Sequence, residues 1–141
     1  EYLDPLKNEA PTGWTVTGHP WYGITPPAHP ALLKASQDKY KDHPRLGSVV
    51  GYTAIQSLAA GMRKAGGADT EKLITAFRGL ELTSPFGPIR YRTEDHQSTM
   101  GAFVGKTRNE GGKGVMVNFR YADGAKFQPS AEEVKKLRAA D

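Results

Sequence analysis

Gly51-Tyr52-Thr53-Ala54-Ile55-Gln56-Ser57-Leu58-Ala59-Ala60-Gly61-Met62-Arg63-Lys64-Ala65-Gly66-Gly67-Ala68-Asp69 is the stretch that decides the fold. Tyr52, Ile55, Leu58, Ala59 and Met62 recur three or four residues apart, which predicts one helix over 49–65 with a single apolar stripe turned into the core. Gly66-Gly67 lets the chain leave that helix. Asp69 is placed to cap the next helix, with Glu71 favoured in its first turn and Leu73, Ile74, Phe77 and Leu80 as its apolar side. Upstream, Pro30 suits a first helical turn, and Leu32, Leu33, Ser36 and Tyr40 follow at helical spacing up to the break at His43-Pro44.

Further out the period changes to two. Trp14-Thr15-Val16-Thr17-Gly18 reads as a strand that runs into an aromatic, proline-broken loop, His19-Pro20-Trp21-Tyr22-Gly23-Ile24. On the other side, Phe86-Gly87-Pro88 enters a strand carrying Ile89 and Tyr91, and Ala102-Phe103-Val104 reads as a second. Val115, Val117, Phe119 and Tyr121 alternate with Met116, Asn118 and Arg120, and Asp123-Gly124 is then expected to turn the chain into a hairpin with Lys126-Phe127. Ser130 and Glu133 form a capping box for a closing helix. Helices and strands in this order make an α/β chain.

The composition removes several functions. At 141 residues, 38% hydrophobic and 24% charged, the chain can bury one core, and no run approaches the roughly 18 apolar residues of a membrane span. The absence of cysteine excludes disulfides, thiolate metal sites and cysteine nucleophiles, and it suits a compartment that oxidises free thiols. A net charge of +4 is spread along the whole chain, so no nucleic-acid partner is expected. Gly101-Ala102-Phe103-Val104-Gly105-Lys106-Thr107 is one residue short of a phosphate loop and reads as strand. Three histidines precede proline, at His19, His29 and His43, in separate loops, and His96 lies in a turn beside Glu94 and Asp95. No metal site, cofactor, catalytic residue or enzymatic activity is expected from these residues.

Two features invite a ligand. Trp21-Tyr22 in a proline-constrained loop offers a flat wall with a polar tip on each ring. Gly47-Ser48-Val49-Val50-Gly51-Tyr52 opens the long helix with a hydroxyl and unpaired N–H groups, which suit a carboxylate. Each is equally read as packing or capping.

Taken in order, the stretch 51–69, a helix ending in Phe77-Arg78-Gly79-Leu80, then Thr83-Ser84-Pro85-Phe86-Gly87-Pro88-Ile89-Arg90-Tyr91 and the turn Asp95-His96-Gln97 resemble the binding proteins of branched-chain amino-acid ABC transporters. The resemblance runs from about Thr17 to Tyr121 and implies the type I periplasmic binding fold, represented by its C-terminal part. Such proteins have two lobes joined by three crossing segments, in chains more than twice this length. It implies that residues 1–18 end the second lobe, 19–23 cross, 24–100 complete the first lobe, 101–107 cross back, and 108–141 add the final strand, hairpin and helix of the second lobe. An extracytoplasmic protein whose precursor carries a signal peptide is implied, one that captures an amino acid or related carboxylate by hinge closure and delivers it to an ABC permease. The missing N-terminal part of the same protein would complete it. Trp21, Tyr22, Ser48, Val49 and Tyr52 would line the cleft, and the bulk of Trp21 suggests an aromatic carboxylate. A ligand-sensing domain of a signalling protein on the same fold is the alternative.

Overall fold

The computed structural model describes residues 2–137. Strand β1 (Thr15–Gly18) leads through a 3-10 turn, Trp21–Gly23, to three helices: α1 (Ala28–Tyr40), α2 (Leu46–Ala65) and α3 (Thr70–Phe77). A small antiparallel hairpin follows, β2 (Glu81–Ser84) with β3 (Gly87–Arg90), and then two long strands, β4 (Ala102–Glu110) and β5 (Lys113–Ala122), before the closing helix α4 (Ala131–Leu137). β1, β4 and β5 form an antiparallel sheet in the order β1-β4-β5, with Thr15 opposite Lys106 and Phe103 opposite Tyr121.

Local chemistry explains the ends of these elements. The Asp69 carboxylate accepts the Lys72 N–H and caps α3, and Ser130 and Glu133 exchange hydrogen bonds at the start of α4. α2 ends at Gly66, whose φ of 72° suits glycine.

Two strand expectations need correction. The chain makes its hairpin at Gly111-Gly112, not at Asp123-Gly124. Both glycines have positive φ, 58° and 81°, the two-residue turn whose twist matches paired strands. Asp123 instead caps a 3-10 turn, Gly124–Lys126. Strand β5 does not alternate evenly either. Between the pairs Val104–Arg120 and Lys106–Val117, β5 carries one residue more than β4, and Asn118 takes φ 49°. That bulge flips the face, so Met116 packs in the same core as Phe119 and Tyr121.

The main correction concerns α2. Its buried residues are Val49, Thr53, Ser57 and Gly61, four apart, whereas Ile55, Leu58 and Met62 are 66%, 44% and 37% exposed and Tyr52 38%. Burying this polar row is inexpensive because each hydroxyl bonds inside the helix, Thr53 Oγ1 to the Val49 carbonyl and Ser57 Oγ to that of Thr53, both at 2.8 Å. The small residues also permit close approach. A Cβ on Gly61 would lie 2.6 Å from Phe77 Cε2, so glycine is what brings α3 onto α2. The core itself gathers Ile24, Val49, Phe86, Phe103 and Met116, where the turn after β1, the start of α2, the β2–β3 turn and the sheet meet.

Candidate ligand-binding site

The turn that follows β1 is tied down from three sides. The Tyr22 hydroxyl donates to the Met116 carbonyl (2.8 Å) and accepts from the Met116 N–H (2.7 Å), clamping the turn to β5. Gly23 admits the Phe119 ring beneath it, since a Cβ there would sit 2.4 Å from Phe119 Cζ. On the helical side, His19 Nδ1 lies 2.9 Å from the Pro44 carbonyl and its Nε2 2.8 Å from His29 Nε2. Burial, then the neighbouring His29, lowers the His19 pKa to about 4; burial alone lowers that of His29.

Trp21 projects from this anchored turn and stacks on His43, ring centroids 4.8 Å apart and planes 21° from parallel. Behind His43, the Arg45 guanidinium reaches His43 Nε2 at 2.7 Å and pairs with Asp42 and Asp4. The backbone N–H of His43, then Arg45, holds the Asp42 carboxyl below its usual range, while burial and then the Arg45 cation lower the His43 pKa. Arg45 is also the residue before α2, and its N–H donates to Ser48 Oγ at 3.2 Å, which orients an exposed hydroxyl in the first turn.

Trp21 is therefore tied to Ser48 at the start of α2 through His43 and Arg45, and Tyr52 lies exposed one turn further along the same helix. Tyr22 and Val49 are placed differently: the Tyr22 hydroxyl is committed to Met116, and burial, its largest influence, raises its pKa. Val49 is fully buried in the core and presents no surface. The separate loops expected for the proline-preceding histidines need one correction, since His29 lies in the first turn of α1, where Pro30 is tolerated; the rings meet all the same, His19 against His29 and His43 under Trp21. No sequence signal marks Arg45, Asp42 and Asp4; the signal for the cluster is the His-Pro pair that recurs at His19, His29 and His43.

Chemically, the arrangement presents an aromatic plane stacked on His43 and, linked to it through Arg45, an oriented hydroxyl, with that guanidinium already paired to carboxylates. Among the described residues no group of three or more His, Asp or Glu side chains could hold a metal ion, and no helix is long and apolar enough to cross a membrane.

The sequence profile of a family described as periplasmic binding protein matches residues 1–113. The chain belongs to the periplasmic binding protein family. Several solved structures of such proteins share its fold. One is an ABC-type branched-chain amino acid transporter protein from Rhodopseudomonas palustris, at 24% identity and TM-score 0.70, covering 85% of this chain and 33% of its own. A second solute-binding protein from Rhodopseudomonas palustris, solved in complex with 3,4-dihydroxybenzoic acid, gives 23% identity and TM-score 0.69 over 86% of this chain and 34% of its own. The leucine-, isoleucine-, valine-, threonine- and alanine-binding protein of Brucella ovis gives 14% identity and TM-score 0.72 over 90% and 35%. No curated protein sequence matches the chain. This periplasmic binding protein thus has the type I periplasmic binding fold and spans about a third of the length of those structures.

Proposed function

We propose that the chain is the C-terminal part of an extracytoplasmic solute-binding protein that captures a small carboxylate, an amino acid or an aromatic acid, and passes it to an ABC permease without covalent chemistry. The observation that carries this is Trp21, held at the turn between sheet and helices and stacked on His43 beside the start of α2. In this reading residues 1–18 and 108–141 belong to one lobe, 24–100 to the other, and 19–23 and 101–107 cross between them. Closure follows from a ligand binding the closed form better than the open one. Trp21 forms a wall, Ser48 bonds the carboxylate and Tyr52 borders the same space, while Tyr22 and Val49 fix the wall from behind. In the full-length protein, calorimetry against branched-chain amino acids and hydroxybenzoic acids tests it. Trp21→Ala is expected to weaken binding by about 1–3 kcal/mol and Ser48→Ala by about 1 kcal/mol. Affinity unchanged in both variants would overturn the site.

The same reading supplies an occupant for the uncovered face of α2. Ile55, Leu58, Ala59 and Met62 lie across the helix from Val49, Thr53 and Ser57, in a stripe without charge. Covering a large apolar side chain fully is worth about 1.5–3 kcal/mol, and the related structures are about two and a half times as long as this chain. The N-terminal part of the same protein is the partner that fits. Leu58→Lys is then expected to lower the melting temperature of the full-length protein while improving the solubility of the 141-residue chain alone. A full-length protein indifferent to Leu58→Lys would overturn this docking.

A further inference from the structure

We infer that His19 and His29 form a neutral, tautomer-locked pair that positions the Trp21 turn against α1 and the start of α2, and that takes up at most one proton with its geometry intact. The argument starts from the Pro44 carbonyl, which can only accept. His19 Nδ1, 2.9 Å away, must therefore carry the hydrogen. In a neutral ring this leaves Nε2 as a bare lone pair, so His29 Nε2, 2.8 Å away, must be the donor. Both tautomers follow from one backbone oxygen.

A first proton on His29 Nδ1 would keep both hydrogen bonds, whereas a first proton on His19 forces a rearrangement. A charged His19 would aim an N–H at His29 Nε2, and His29 would have to move its own hydrogen to Nδ1. A second proton would set two N–H groups head to head. His29 is 1% exposed in the first turn of α1, so water cannot readily take over either bond. Among the described residues, the other groups facing the pair offer no counter-charge. Phe86 packs on His19 at 5.7 Å, and His43 in the α1–α2 loop adds its own positive charge if protonated. The carboxylates that act on His43, Asp42 and Asp4, are engaged with Arg45. Because the fold holds His19 neutral down to about pH 4 whereas an unfolded histidine ionises near 6.5, the unfolded chain binds more protons in that interval. The pair's contribution is present above pH 6.5 and is lost as pH falls towards 4.

The role in the site rests on Trp21 being a ligand wall, but the pair itself does not. Nitrogen-15 NMR of the 141-residue chain at pH 7 is expected to show His19 protonated at Nδ1, against the Nε2 preference of a free imidazole, and His29 at Nε2. Both should resist protonation at pH 6. His29→Gln keeps an N–H in place of Nε2–H and can rotate its carbonyl towards a charged His19. It should retain the His19 tautomer, raise the His19 midpoint, and lessen the loss of melting temperature between pH 7 and 5. In the full-length protein the same variant should lessen the acid loss of ligand affinity, whereas Trp21→Ala weakens binding at every pH. Two rings in the Nε2–H form, independent titrations near 6.5, or zinc retained between the two Nε2 atoms would each overturn the pair. Locked tautomers with affinity indifferent to His29→Gln would leave the pair standing and overturn its role in the site.

Discussion

Tyr22 uses one hydroxyl for two hydrogen bonds to the same residue, and that makes it a strut for Trp21. The paired bonds to Met116 fix the turn against β5, so removing the hydroxyl leaves a carbonyl and an N–H of β5 without their partner. Tyr22→Phe is expected to destabilise the chain by about 1–3 kcal/mol in denaturant titration. Because the ring remains, still edge-on to Trp21, ligand affinity should fall less than in Trp21→Ala. A stability unchanged within a few tenths of a kcal/mol would show that water replaces the hydroxyl at no penalty. The adjacent residue in sequence thus supports the wall, and its exposed ring disguises a committed hydroxyl.

At the scale of elements, packing between α2 and α3 depends on the absence of a side chain at Gly61. Gly61→Val would drive atoms into Phe77, and a loss of about 1–3 kcal/mol is expected by thermal unfolding. A neutral outcome would mean that Phe77 has room to rotate away. The same helix shows what could and could not be read from the residues. Its existence and its end were legible because Gly66 and the apolar spacing are local signals, and so were the caps at Asp69 and Ser130. Its buried face was not. Apolar spacing says which side of a helix wants cover, but burial is decided by the neighbours, and here small residues carrying self-bonded hydroxyls allow them closest. The Gly111-Gly112 hairpin has a local signal in its glycine pair, but Asp123-Gly124 carries an equally good turn signal later in the chain, and the Asn118 bulge has no signature in a run of alternating residues. In the site, Trp21 and Ser48 could be singled out by type and place. The His19–His29 contact could not, since the nine residues between them must fold back to make it.

For the whole molecule, the governing fact is that the sheet joins the beginning of the chain to its end. Lys106 Nζ reaches Thr15 Oγ1 across 91 residues of sequence, and three helices and a hairpin are interposed. The core assembles at this junction, with Ile24, Val49 and Phe86 from the interposed segment meeting Phe103 and Met116 of the sheet. Phe103→Ala is expected to cost roughly 3–5 kcal/mol and to loosen both sides together in a single cooperative transition. Two separate transitions would show instead that sheet and helices unfold independently. The order of strands also sets a clock on manufacture. A ribosome adding about 5–20 residues each second makes β4 roughly 5–20 s after β1. In that interval all three interposed helices leave the ribosome before the β1–β4 ladder can close. Helix formation and sheet closure are thereby separated in time, and β1 waits for its β4 partner longer than any helix waits for its own hydrogen bonds.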